Sequence, residues 1–138
     1  MKSLKNWMKY IVLVPAVGML LLLMACLTTN NNDRSLEDLY RHMVKETNCA
    51  FAGPVEPGLA HAVAGFAVKI AGRDVYFYKY DTSVKEGRMA RKYQFVKDNG
   101  FIYLAGFKFS AAVNGSFIMV DYDTNEQKEL LLKAFKSF

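Results

Sequence analysis

The chain has 138 residues, 52% of them hydrophobic and 22% charged, with a formal net charge of +5. That length supports one compact domain and is too short for two. Lys2, Lys5 and Lys9 account for most of the excess charge; without them 15 basic residues face 13 acidic ones, and a balance of +2 takes away the main argument for a nucleic-acid partner. With only Cys26 and Cys49, the chain is not a disulfide-stapled scaffold either.

The N-terminus carries the strongest signal. The three lysines precede an apolar run from Ile11 to Ala25, which ends at Cys26 and passes into the polar stretch Thr28 to Arg34. A basic start, a short apolar core and a small residue at the cut site make an export signal. The box Leu23-Met24-Ala25-Cys26 resembles the lipobox of bacterial lipoprotein signal peptides. The resemblance implies cleavage before Cys26, lipidation of that cysteine with fatty acyl chains such as palmitate, and attachment to the outward face of a cell membrane.

At about 0.8 kcal/mol per buried methylene, one acyl chain holds a protein marginally, whereas two or three hold it firmly. An uncleaved signal anchor is the competing reading, because Ile11 to Leu27 approaches the lower limit of a spanning helix, about 17 residues. Leu23 is large where ordinary signal peptidase wants a small residue, which disfavours a soluble secreted product. All three readings place Thr28 to Phe138 outside the cytoplasm, since the lysine-rich end stays inside. Leu27 offers no acidic retention cue, so in a host with two membranes the destination could be the outer one. The expected division is signal peptide 1–25, lipidated cysteine and flexible tether 26–34, and one extracytoplasmic domain 35–138.

Within the domain, Leu36, Leu39, Tyr40 and Met43 recur at helical spacing, so Ser35 to Thr47 reads as a helix, with Ser35 and Asp38 as its N-terminal capping pair. Asn48 to Leu59 contains Gly53-Pro54 and Pro57-Gly58 and reads as a connection. Cys49, between Asn48 and Ala50 with no neighbouring base, reads as a buried packing residue rather than a nucleophile. Alternation over Ala62 to Asp81 predicts a hairpin turning at Ala71 to Asp74. A second hairpin, Phe101 to Val113 with Ser116 to Tyr122, is predicted around Asn114-Gly115.

Each hairpin is followed by a helical pattern. Tyr80-Asp81-Thr82 recurs as Tyr122-Asp123-Thr124, and Met89, Ala90, Tyr93 and Val96 find counterparts in Leu131, Leu132, Phe135 and Phe138. The expected fold is therefore α+β, with a four-stranded antiparallel sheet from two hairpins and three helices in the order α-ββ-α-ββ-α, built as tandem ββα halves. In that arrangement the second and third helices share one sheet face. Ser83 with Glu86, and Asp123 with Glu126, are expected to cap those two helices.

Chemistry is thinly represented. Asp38, His42 and Glu46 form one helical stripe with a single nitrogen ligand, which is a poor metal site, and His61 sits among alanines. No phosphate loop, nucleophile elbow or paired-cysteine cluster occurs, so no cofactor and no catalytic residue is assigned. Lys85, Arg88, Arg91, Lys92 and Lys97 make the second helix basic, suited to solvent or to anionic head groups. Strand alternation places Tyr76, Tyr78 and Tyr80 with Tyr122 on one face, the expected binding surface if any of it stays uncovered.

In general style the chain resembles small lipoproteins of Gram-positive bacteria. The expected function is non-enzymatic binding at the membrane's outer face, for instance immunity or exclusion against a peptide toxin or phage component. The partner would be an unidentified protein or peptide. Alternatives are an accessory subunit of an envelope complex, or a small envelope hydrolase using His42 or His61 with an acid.

Overall fold

The computed structural model describes residues Asn31–Phe138; the expected export signal, Cys26 and the first part of the expected tether lie outside the described residues. A short 3-10 turn, Asn31–Asp33, leads into helix α1 (Leu36–Thr47). Strands β1 (Ala50–Pro54), β2 (Ala64–Ile70) and β3 (Arg73–Lys79) follow, then helix α2 (Gly87–Asn99). Strands β4 (Phe101–Leu104), β5 (Phe107–Asn114) and β6 (Phe117–Val120) and helix α3 (Lys128–Lys136) complete the chain. The strands form one antiparallel sheet in the order β1-β2-β3-β6-β5-β4, two three-stranded meanders joined through their last strands.

The mixture of helix and antiparallel sheet agrees with the sequence pattern, but the sheet has six strands rather than four. β1 arises inside the segment that Gly53-Pro54 marked as irregular. A bulge between Phe51 and Gly53 and a proline at the strand's last residue are compatible with an edge strand, where one side of the backbone needs no partner. The stretch Phe101 to Val113 is two strands, because Ala105 and Gly106 both take positive φ (50° and 83°) and close a tight primed turn. Ala71-Gly72 makes the same turn between β2 and β3. In the last hairpin the turn residues are Gly115 and Ser116, one place later than the Asn-Gly pattern suggested, with positive φ at Gly115 only.

Two cores lie on the two faces of this sheet. On the first, Phe66, Val68, Val75, Phe77, Phe117 and Met119 pack against Leu39 and Met43 of α1 and Leu131 and Phe135 of α3. On the second, Tyr78, Tyr80, Ile118, Val120 and Ala111 pack against Val96 of α2, Ile102 of β4 and Ala60. Burying each large side chain is worth about 1.5–3 kcal/mol, so the sheet is stabilised from both sides. Among the described residues, both cores and every strand pairing fall within the compact unit Asn31–Phe138, which carries its own hydrophobic cores and sheet.

The tandem ββα symmetry does not hold. α2 covers the second face whereas α3 joins α1 on the first, so the helices cannot superpose when the strands do. The divergence begins at Asp121, whose φ of +61° redirects the chain after β6, while β3 runs straight on into Tyr80. Tyr80 therefore enters the second core and its sequence counterpart Tyr122 packs on the first.

The helix starts differ as well. The Ser35–Asp38 capping box is present, each side chain bonding the other residue's backbone N–H at 3.1 and 3.0 Å. α2 begins only at Gly87, and Asp81 instead folds back on Ser83, accepting bonds from its N–H and hydroxyl. α3 begins at Lys128, with Asp123 engaged by the Ser110 hydroxyl at 2.7 Å.

The last residues of the expected tether are docked. Asn31 is 1% exposed; its carboxamide donates to the Asn114 carbonyl and accepts from the Ser116 N–H, both at 3.1 Å. The Arg34 guanidinium stacks on the Phe138 ring and donates to the Phe138 carbonyl at 2.6 Å. Lys79 donates to the carbonyls of Asn32 and Arg34. The compact unit thus starts at Asn31, five residues before the first residue of α1.

Candidate functional site

The tyrosine face is mostly consumed by the fold. Tyr78 and Tyr80 lie 4% and 1% exposed in the second core, and the Tyr80 hydroxyl donates to the Ala60 carbonyl at 2.6 Å. Burial pushes both hydroxyls to higher pKa, so they remain protonated donors. Tyr76 is partly buried beside them, and Tyr122 is partly buried on the opposite side of the sheet. These four residues form no common surface.

One of the two histidines holds structure. His42 Nε2 lies 2.7 Å from the Ala134 carbonyl and 3.0 Å from the Ser137 hydroxyl, tying α1 to α3. His61 is exposed on a left-handed turn that ends the short helix Gly58–Ala60. Cys49 is buried in the first core as a free thiol. Among the described residues no cluster of His, Cys, Asp or Glu is placed to hold a metal ion. Nor is any described helix long and apolar enough to cross a membrane.

Among the described residues, the larger of two hollows comes from a length mismatch. β4 has four residues and β5 eight, so β4 pairs with β5 only from Phe107 to Ser110. Beyond that point β5 pairs with β6 on one side, and among the described residues no strand continues along the other. Ala111 N–H points to this outer side, bonding the Gly100 carbonyl at 3.0 Å. Strand alternation therefore aims the N–H and C=O of Val113 the same way.

The open edge lies in a groove of about 540 Å³. Ala111, Ala112 and Val113 make its floor. Tyr93 and Val96 wall it from α2, on one face of the sheet, and Tyr122 and Leu132 from the other face. Ala111 and Ala112 turn their side chains into the two cores, and Val113 is half-buried between the walls. The Tyr93 hydroxyl, held protonated by burial, donates to the Gly115 carbonyl at 2.6 Å and closes one end.

Lys97 and Lys136, both exposed, line the two sides of the groove. Each stands in the last turn of its helix, and a full positive charge outweighs the partial negative charge of about half a unit at a helix C-terminus. The rims are therefore cationic. A second hollow of about 370 Å³ lies between α1 and the outer sheet edge, lined by Leu36, Tyr40, Phe51 and Phe66. There the neighbouring edge strand β1 is blunted by its bulge and by Pro54, devices that oppose pairing with another strand.

Of the groove residues, the sequence singled out Tyr122 as a binding candidate and Lys97 as part of a basic helix, but not the groove that joins them. The usable sign was the spacing of Gly100 and Ala105-Gly106, which limits β4 to four residues and so leaves half of β5 without its neighbour. Comparison with protein-family models, with curated proteins and with solved structures gives no match, so no residue role is carried over from a relative.

Proposed function

We propose that this protein is a lipid-anchored, outward-facing binding module that captures an extended peptide segment along the open edge of β5. The observation that carries the reading is the groove: an unpaired stretch of strand, flanked by helices on the two faces of the sheet, with a lysine on each rim. An added strand would gain main-chain hydrogen bonds to Val113 and place alternate side chains against the Tyr93 and Leu132 walls. The lysines favour an acidic segment.

The export signal and the Leu23-Met24-Ala25-Cys26 box support attachment through lipid on Cys26. Tethering raises the local concentration of the module at the bilayer, so a modest affinity suffices to intercept a peptide approaching the membrane. Immunity or exclusion against a peptide toxin or phage component is the activity that this arrangement suits.

Two measurements test the two halves of the proposal. Intact mass of the membrane-extracted protein should show an acylated N-terminal Cys26, lost in Cys26→Ala; a chain retaining Met1 would replace the lipid with a signal anchor. For the groove, a photo-crosslinking amino acid at Lys136 should trap a polypeptide in intact cells, whereas one at Lys45 on α1 should not. Val113→Pro removes the N–H that faces the open edge while leaving the side that pairs with β6, and it should abolish the adduct. An adduct insensitive to Val113→Pro would rule out strand addition.

A further inference from the structure

The β4–β5 hairpin and α2 carry an apolar and basic surface that the groove does not use. Tight primed turns ordinarily draw on Asn, Asp or Gly, yet the tip of this hairpin reads Leu104-Ala105-Gly106-Phe107, without one polar side chain. Phe107, at the end of the turn, is 70% exposed. Beside the tip, Phe95 of α2 meets Phe101 and Tyr103 of β4 with ring centroids 5.3 and 6.4 Å apart, and Phe101 and Tyr103 are themselves 5.5 Å apart. Tyr103 and Phe95 are both exposed.

Cations surround these rings. Lys108 Nζ lies 4.1 Å from the centre of the Phe101 ring, and Lys92 Nζ donates to the Tyr103 carbonyl at 2.7 Å. Arg91 stands one helical turn before Phe95 and Arg88 one turn before Lys92, so they extend the same stripe. The acids of this helix are Glu86 at its start and Asp98, which is engaged by Gln94 at 2.8 Å. A domain whose overall charge is close to balanced thus concentrates four cations around one aromatic cluster and one apolar tip.

We infer that this hairpin tip inserts into the interfacial layer of an anionic phospholipid membrane, with Phe107 entering the acyl boundary while Leu104 stays packed against the second core. Tyr103 would lie at head-group level, where amphipathic rings are enriched, and Lys92, Lys108, Arg88 and Arg91 would meet lipid phosphates. Charge complementarity chooses the occupant: apolar surface alone would suit any hydrophobic partner, whereas apolar tip and cationic surround together match a negatively charged bilayer. The inference is independent of Cys26 and of the β5 groove.

The test is co-sedimentation of residues 31–138, the compact unit that carries its own cores and sheet, with vesicles of equal parts phosphatidylglycerol and phosphatidylcholine, and with pure phosphatidylcholine. Binding to the anionic vesicles only is expected. Phe107→Ser and the pair Lys92→Glu with Lys108→Glu should each weaken it about tenfold or more. Phe107 and Lys108 lie outside both cores, so those variants should fold, and circular dichroism checks that they do. The variant pair Lys128→Glu with Lys133→Glu on α3, both exposed and away from the groove, should leave binding unchanged. Failure to bind anionic vesicles, binding equally reduced by the α3 pair, or capture of soluble heparin in place of vesicles would each overturn the inference. Loss of the Cys26 lipid or of the groove adduct would not touch it.

Discussion

Asn31 and Gly115 are fitted so closely that a Cβ on Gly115 would overlap the Asn31 carboxamide. That carboxamide spans the β5–β6 turn, bonding the residues on both sides of Gly115, and Tyr93 bonds the Gly115 carbonyl from α2. One glycine therefore joins the start of the domain to the closed end of the groove. Only glycine meets both demands there, a φ of +57° and the absence of a side chain.

Replacing Gly115 by alanine should displace Asn31 and strain the turn. Asn31→Ala should cost about 1–3 kcal/mol, through loss of two hydrogen bonds to buried backbone groups. Gly115→Ala should cost more, because left-handed backbone adds about 1–2 kcal/mol for a residue with a Cβ. The two costs should not add: in an Asn31→Ala background the overlap is gone, and Gly115→Ala should fall to its backbone strain alone. Urea unfolding of the four proteins in this cycle measures the coupling, and strict additivity would mean that Asn31 is not docked in solution.

Ala105 pays for its apolar character. It holds a φ of +50°, a conformation that asparagine adopts far more readily than alanine. Ala105→Asn should stabilise the domain by about 0.5–1 kcal/mol, read as a higher urea midpoint with unchanged slope. The same variant places an amide at the membrane-inserting tip and should weaken binding to anionic vesicles. Ala71→Asn, in the equivalent turn between β2 and β3, should gain similar stability with no effect on vesicles.

The helices and the central strands were readable because their periodicity is strong: Leu36, Leu39 and Met43 mark α1, and the alternation around Phe66, Val68 and Ile70 marks β2. What failed were local features that context overrides. Gly53-Pro54 reads as a breaker, but an edge strand with a bulge accommodates both residues. Ala105-Gly106 carries no usual turn signal, so two short strands looked like one long one. The Tyr-Asp-Thr repeat suggested two equivalent halves, whereas one left-handed residue, Asp121, sends the second copy to the other face. The groove was illegible for a related reason. It consists of missing pairing along β5, and only the lengths of two neighbouring strands reveal it.

His42 should prove structural. Its Nε2 faces the Ala134 carbonyl, an acceptor only, so the ring donates there and the bond clamps α1 onto α3. His42→Ala should destabilise the domain by about 1 kcal/mol, with a smaller effect for Ser137→Ala, whose hydroxyl shares the site at 3.0 Å. Urea midpoints and the level of folded protein should fall together. Any cellular defect of His42→Ala should vanish when a compensating stabiliser such as Ala71→Asn restores that level; a defect that survives restored folding would revive the hydrolase reading.

Two aspartates should give the domain opposite responses to acid. The Ser35 backbone N–H and then its hydroxyl hold the Asp38 carboxyl below its ordinary pKa, so the stabilisation by this cap is complete above the unfolded carboxylate pKa of about 4. It is lost as pH falls through the lower folded value, and the deficit of Asp38→Asn relative to the parent should shrink in acid. Asp121 runs the other way. Burial raises its pKa against the opposing pull of Arg73, so its protonated form is the one the fold prefers. That contribution is fully present below about pH 4 and is lost as pH rises through the folded value. At pH 7 Asp121 is therefore a partly desolvated charge on a left-handed residue. Asparagine removes the charge, tolerates the φ of +61°, and keeps an oxygen to accept from Thr124. Asp121→Asn should raise the unfolding midpoint at pH 7 and converge with the parent by pH 3. An advantage that persists unchanged at pH 3 would assign the gain to backbone preference alone and remove burial of the Asp121 charge as its cause.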